Sequence, residues 1–473
     1  MLAAGQVSAQ QTTATVVDDD PEGVVSYNAV ATLADGRAVL AYVVNTPEFP
    51  TDVLRLAVCA DAACSSSTQY NLANDDQLFA HVELNIIDGV PVVHYATDTG
   101  GGSVFVAECS DITCSTVTTN EVLPGAANST HEFAVIVRDG TPLIAHYGVD
   151  EGASRVELAL CKDVQCSNPD VKQLDSRPLG GSTLGFVSIA LDTQGRPLVA
   201  YSSRSDSTQD IRLAACDDTE CESVQNVLIA ERNDGSISQE TQLGLAGDNP
   251  VIAFADLFND LYLVRCKDRL CSTQQSAKIV DTGLRRDDVD MAVVGGTALI
   301  AYSSSGRTVP MLECNDTTCT QINEVVGGSL GRSNDLHVNG ADVHISTFDG
   351  IADAQMYALL QDIIPIPTLA RFTLGTGGRS GGGNFLLDST IAQPLAGRSS
   401  NVNNVLQIGF WQQAGAVLFP AFDLDQDGLI TSTDVVYVIN RLGGDLSADV
   451  DGDGDVDQDD VQQVLDNLGD DLR

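Results

Sequence analysis

Two stretches of the chain, 26 residues apart, have the residue types and spacing to hold a divalent cation. The first is Asp423-Leu424-Asp425-Gln426-Asp427-Gly428-Leu429-Ile430-Thr431-Ser432-Thr433-Asp434, and the second runs from Asp449 to Asp460. Calcium takes about six to eight hard oxygens, and a 12-residue loop supplies them from positions 1, 3, 5, 7, 9 and 12 with glycine at position 6. Here these are Asp423, Asp425, Asp427, the Leu429 carbonyl, Thr431 and Asp434, then Asp449, Asp451, Asp453, the Asp455 carbonyl, Asp457 and Asp460, with Gly428 and Gly454 at the turns. An apolar-periodic segment follows each loop, Val435–Gly443 and Val461–Gly469, and reads as one short helix ending at glycine. A merely solvated acidic tail would not repeat glycine and apolar spacing in register. Like charges packed this densely need a cation to fold around, so the tail is expected to unfold on chelation.

An EF-hand of the usual kind carries glutamate at position 12 and a helix entering the loop. Aspartate at position 12, a tandem spacing in the twenties and exiting helices alone make residues 421–473 resemble a dockerin module. The resemblance implies two bound calcium ions and docking to a cohesin domain on a scaffold or cell surface. In the family, loop positions 10 and 11 contact cohesin. Ser432 and Thr433 match the common Ser-Thr pair there, while Gln458 and Asp459 do not, which makes the first repeat the expected docking face.

The second chemical signal is sulfur. All 12 cysteines fall into Cys-x4-Cys pairs, Cys59/Cys64, Cys109/Cys114, Cys161/Cys166, Cys216/Cys221, Cys266/Cys271 and Cys314/Cys319, whose first members lie 50, 52, 55, 50 and 48 residues apart. Each pair ends one strand-like run and begins another, as in Leu54-Arg55-Leu56-Ala57-Val58-Cys59. A hairpin is therefore expected, with the two cysteines facing each other across the ladder at disulfide distance. Paired thiolates also bind zinc. Against that reading, hairpin tips in a repeat array point apart and no histidines are interleaved. Six disulfides imply an oxidising, extracytoplasmic compartment, and the protein is expected to be secreted or attached to a cell surface.

Outward from each hairpin, every repeat holds four strand-like segments. The second recurs plainly, as Gly36–Tyr42, Gly89–Tyr95, Gly195–Tyr201 and Gly295–Tyr302. Four short strands every fifty or so residues without helical periodicity predict β-propeller blades. After Cys319 three more strands follow (334–338, 342–348, 354–361), whereas Gln11–Val17 at the other end resembles an orphan fourth strand. Joining the ends gives a seventh blade and removes exposed sheet edges. The predicted fold class is mainly β. It comprises a seven-bladed propeller over 11–364, a small glycine-rich β connector over 365–415, and a small α-helical dockerin-like calcium module over 421–473. Residues 1–10, with Val7-Ser8-Ala9 fitting a signal-peptidase site, read as the remnant of a secretory signal.

Composition excludes several roles. Sixty-six acids against 24 bases, a formal charge of −42, rule against nucleic-acid binding and a polybasic membrane anchor. No apolar run approaches the ~20 residues of a membrane-spanning helix. No Gly-x-Ser-x-Gly nucleophile elbow is evident, and His-Glu-x-x-His and sialidase Asp boxes are absent. Counting back eight residues from the turn after each first strand gives Asn28, His81, Glu132, Thr241 and Asp288, a polar set expected to ring one mouth of the central channel and bind ligand. Asp98, Asp150, Asp256 and Asp349, in loops after the second strands, form a second candidate set, and Trp411, the lone tryptophan, a third. Two functions follow. One is a ligand-binding or scaffolding propeller docked by its calcium tail to a cohesin-type or cell-surface partner. The other is a carbohydrate-active enzyme of polysaccharide catabolism with its site at the propeller mouth.

Overall fold

Each cysteine repeat folds into a four-stranded antiparallel sheet whose strands follow one another in space as in sequence. The computed structural model describes most of residues 10–361, the breaks falling between strands, together with 397–401 and 404–408. The dockerin-like tail, with its twelve calcium-ligand positions and Ser432 and Thr433, lies outside the described residues, as do Glu132, Trp411 and residues 1–9.

The innermost strands are Val24–Thr32, Phe79–Ile87, Phe133–Arg138, Val187–Leu191, Ile237–Ala246, Leu284–Val294 and Asp335–Asn339, one for each of blades 1 to 7. Each neighbours the next, and the last neighbours the first, so the sheets form a closed ring of seven. The fold is a seven-bladed β-propeller. The second strands are covered on both faces and so are apolar nearly throughout. Val90–Thr97 and Asn249–Asp256 are buried at every position but the first. Outermost strands such as Gln274–Val280 stay largely exposed and polar. The core consists of seven apolar seams between successive blades, for example Ala29, Ala41 and Leu56 of blade 1 against Val82, Leu84 and Tyr95 of blade 2.

Closure uses the N-terminus twice. Thr15–Asp18 pairs antiparallel with Ala354–Leu360 as the outermost strand of blade 7. Gln10–Thr13 pairs in parallel with Cys319–Val326, adding a fifth strand to blade 6. The single orphan strand expected from the sequence is thus two strands serving two blades. Side chains then tie the segment to blade 1, where the Ser67 hydroxyl and the Gln69 amide both donate to the Val17 carbonyl at 3.0 Å.

All six disulfides are present, with Cα–Cα distances of 4.2–4.8 Å. Their setting corrects the expectation that both cysteines of a pair lie in strands and face each other across the ladder. Only Cys314 and Cys319 do so; Cys59 faces Ser67 and Cys109 faces Val117. In the other five hairpins the second cysteines, Cys64, Cys114, Cys166, Cys221 and Cys271, belong to the turn and precede the next strand. They sit at φ of 45–55°, a left-handed conformation uncommon for a residue with a side chain.

The physical reason is a tight turn built on the aspartate two residues after each first cysteine. The N–H groups of Cys64, Cys114, Cys166 and Cys271 donate to the carbonyls of Asp61, Asp111, Asp163 and Asp268 at 2.9–3.1 Å, and Cys221 donates to Asp218 at 3.4 Å. That bond folds the second cysteine back toward the first before the fourth strand begins. The aspartate side chain holds the far side of the turn. Asp61, Asp163 and Asp268 each accept the N–H of the serine after the second cysteine at 3.0 Å. The Ser65 and Ser272 hydroxyls donate to Asp61 and Asp268 as well, and these bonds, with the backbone ones, hold both carboxyls below the usual range.

Because successive strands alternate direction, the first-to-second turns and the cysteine hairpins share one side of the ring. The second-to-third loops and the connections between blades share the other. Cross-blade bonds knit the hairpin side, as where Arg138 Nη1 donates to Thr219 O at 2.6 Å and the Tyr357 hydroxyl to Ala62 O at 2.8 Å.

The chain divides into two units at residue 364. In the second, Gly397–Asn401 and Asn404–Ile408 form an antiparallel hairpin within the glycine-rich connector. No helix among the described residues is long and apolar enough to cross a membrane.

Candidate active site

Strand register, more than distance from a turn, places side chains around the channel. The innermost residues paired with the second-strand positions Ala41, His94, Ala145, Ala200, Ala253, Ala301 and Ser346 are Ala29, Glu83, Ala134, Ser188, Gln242, Asp290 and Asp335. These seven form one level of the ring, and their polar members reach to the next blade. Ser188 Oγ accepts the Leu243 N–H at 3.0 Å, Asp290 Oδ2 accepts the Leu336 N–H at 2.6 Å, and Asp335 Oδ2 accepts the Val30 N–H at 2.5 Å.

Three carboxyl groups therefore share this level. Asp290 and Asp335 share a side-chain hydrogen bond, and Glu83, from the opposite arc of the ring, acts electrostatically on both. The two aspartates keep some accessible area, as groups on the wall of a narrow channel do, yet protein surrounds each of them. Desolvation is the main cause that raises both. Asp290 is pushed up to about 6, its bonds from Leu336 and Met291 opposing the shift, and Asp335 is raised further by the charge of Asp290 and then of Glu83. Two carboxyl groups sharing a hydrogen bond resist joint ionisation, which adds to the upward shift of Asp335.

Glu83 has its own neighbour. His81 Nε2 lies 3.4 Å from Glu83 Oε1, and the His81 ring meets Phe133 edge-on at 4.9 Å between centroids. Further along the channel the Thr32 hydroxyl and His337 Nε2 are 3.1 Å apart, and burial lowers the His337 pKa. Among the described residues no three His, Cys, Asp or Glu side chains are placed to hold a metal ion.

No family model matches the chain, and no curated protein does. Among solved structures, it is similar to the GH93 α-L-arabinofuranosidase of Fusarium graminearum in complex with arabinobiose, at 12% identity, 74% of this chain, 97% of that chain and a TM-score of 0.46. It is also similar to an α-L-arabinanase of Penicillium chrysogenum complexed with arabinobiose, at 10% identity, 75% and 98% coverage and a TM-score of 0.44. A protein of unknown function from Dyadobacter fermentans matches at 15% identity, 74% and 98% coverage and a TM-score of 0.43. Likeness this distant carries no argument about activity.

The residues expected from the sequence occupy different levels. Asn28 and Thr241 pair with Tyr42 and Phe254, one position before the carboxyl ring, and are buried between blades. His81 lies beside the ring on the face of Glu83. Asp288 falls in the strand Leu284–Val294 with its side chain outside the described residues. Asp256 is committed to its own loop, where it accepts the Asp260 N–H at 2.9 Å. Counting from the turn slips because the turns differ in length and the innermost strands carry irregularities at Val25/Asn28, Phe79/His81, Ile237/Thr241 and Leu284/Val289. Aligning on the second-strand Ala-Tyr pairs would have reached Asp290, and aligning blade 2 on its Tyr95 would have reached Glu83.

Proposed function

We propose that the protein is a secreted carbohydrate-active enzyme that cleaves polysaccharide in the propeller channel. The observation supporting this is the hydrogen-bonded Asp290–Asp335 pair, pushed up by burial, on the same level of the ring as Glu83. Two carboxyl groups in different protonation states are what glycosidic cleavage requires, one to protonate the departing oxygen and one to act on the anomeric carbon or its water. The aspartates cannot be those two by themselves. A hydrogen-bonded pair is closer than the roughly 5 Å or more that glycosidases keep between catalytic carboxyls. The aspartate pair is therefore the proton donor, and Glu83 the opposing carboxylate, oriented by His81. Six disulfides fit an oxidising compartment. In this proposal the tail binds two calcium ions and, through Ser432 and Thr433, docks the enzyme to a cohesin-type or cell-surface partner.

The test is release of reducing ends from a panel of plant and microbial polysaccharides by the full chain and its E83Q and D335N variants. Cleavage that falls at least 100-fold in E83Q supports the proposal; cleavage unchanged in both variants overturns it. A second reading, a ligand-binding or scaffolding propeller, is favoured by one observation. Each aspartate already accepts a backbone N–H from the following blade, as a purely structural clasp would. Saturable glycan binding with no cleavage across the panel would select it.

A further inference from the structure

The second strands repeat an alanine followed by an aromatic residue: Ala41-Tyr42, Ala200-Tyr201, Ala253-Phe254 and Ala301-Tyr302. Blade 2 has His94 at the alanine position, before Tyr95, and blade 3 has His146 at the aromatic position, after Ala145. Both departures meet in one seam. The face of blade 2 carrying Val92, Ala96, Val104 and Val106 packs on the face of blade 3 carrying Phe133, Ile144 and Ala159. His94 falls between Val92 and Ala96 on the first face, and His146 pairs with Phe133 on the second. His94 is 0% exposed and His146 3%, and no ring nitrogen of either has a hydrogen-bond partner.

The charged groups facing this seam are already engaged. From blade 2, Glu83 has His81 beside it, and Glu108 accepts the Gln165 amide at 2.5 Å. From blade 3, Glu157 pairs with Arg155 at 2.6 Å, while its other oxygen is 3.8 Å from His146 Nε2, beyond hydrogen-bond reach. Phe133 and its neighbours on the innermost strand add no charge. Two carboxylates stand near the imidazoles, Glu157 at 3.8 Å from His146 Nε2 and Glu83 across the strand pair from His94, and each already has another basic neighbour, Arg155 and His81.

We propose that the junction of blades 2 and 3 is an acid-sensitive seam, in which protonation of His94 and His146 places charge on two imidazoles buried in a dry interface and parts the blades beside Glu83. The junction of blades 7 and 1 holds a second histidine pair, but there His337 has the Thr32 hydroxyl at 3.1 Å and His344 the Tyr357 hydroxyl at 2.7 Å, so blade 5 is the reference. Burial depresses His94 to about 3 and His146 to about 4, against about 6.5 for a free imidazole. Below pH ~6.5 the opened state gains protons that the closed seam refuses. Closure is therefore complete above that pH and is lost as pH falls toward 4, each histidine weakening it on the order of 10²-fold at pH 4.

The test is amide hydrogen exchange on the full chain from pH 7 to pH 4, reading strands 90–97 and 141–150 against the blade 5 strands 249–256 and 261–266 to cancel intrinsic rates. The expected result is a loss of protection at least 100-fold greater in blades 2 and 3 than in blade 5. The loss should disappear in H94A/H146F, which installs the residues other blades carry. An equal loss in blade 5, or a loss that survives the double substitution, overturns the proposal. If H146F prevents folding, H94A alone decides, with at least a tenfold reduction in the differential loss expected and no reduction fatal to the idea.

Discussion

The carboxylate of Asp18 accepts the Tyr42 hydroxyl at 2.7 Å across the junction where the ring closes. The same oxygen accepts Arg55 Nη1 at 2.7 Å. Inside the ring, Asp175 on the outermost strand of blade 3 accepts the Tyr201 hydroxyl of blade 4 at 2.6 Å. The closing strand thus reproduces, from the far end of the chain, a bond that internal blades make with a continuous backbone. D18A is expected to destabilise the propeller by about 3 kcal/mol, because it removes the acceptor shared by a half-buried guanidinium and a buried hydroxyl. Y42F should cost about 1 kcal/mol, the net worth of one hydrogen bond. Urea unfolding followed by tyrosine fluorescence measures both, and equal effects would contradict a shared-acceptor latch.

The aspartate pair predicts the opposite pH response from the histidine seam. Asp290 and Asp335 have pKa values raised above the unfolded value of about 3.8, so the folded state holds protons the unfolded chain releases. Their contribution is fully present below about pH 4 and is lost as pH rises through the folded values, about 6 for Asp290. D335N removes one charge and keeps an oxygen for the Val30 N–H. It should therefore raise stability relative to wild type at pH 8 and by much less at pH 4.5. Denaturant midpoints at the two pH values report the difference.

Gly244 on the innermost strand of blade 5 lies against Val293 of blade 6, and a methyl group added there would run into the valine side chain. G244A should destabilise by about 1–3 kcal/mol through overpacking. Trimming the obstacle in G244A/V293A should recover part of that loss, whereas V293A alone opens a cavity. Thermal unfolding of the three variants checks whether the coupling is favourable.

Metal removal separates the two ends of the chain. The propeller contributes no helix among its described residues, so helical ellipticity in the full chain is expected to come from the tail. Excess EDTA should abolish the helical signal and leave the β signal, and calcium should restore it with a stoichiometry of two. Ellipticity indifferent to chelation would remove calcium from the account.

Much of the propeller was legible because its period is written in cysteine and its second strands are apolar throughout. Both facts follow from strands sandwiched between neighbouring blades. The hairpin geometry was less so. A cysteine at positive φ, such as Cys64 or Cys221, gives no pattern signal, although the aspartate two residues after each first cysteine was visible and fixes the turn. The channel carboxyls were missed for a related reason. A fixed count back from a turn finds the same level only when the turns are alike, and blade 1 needs seven residues from Gly36 to Ala29 where blade 2 needs six from Gly89 to Glu83. Cross-blade partners such as Asp335 and the Val30 N–H are joined by closure of the ring and leave no local trace in the sequence.

The parallel strand Gln10–Thr13 and the closing strand Thr15–Asp18 are synthesised first, yet their partners Cys319–Val326 and Ala354–Leu360 are made last among the blades. This segment must therefore stay unpaired while the six hairpins between it and its partners form, each closing locally. Only when the final blade arrives can the early segment be captured. Assembly consequently has an order imposed by translation, with a long interval in which one sticky edge depends on remaining extended and unaggregated.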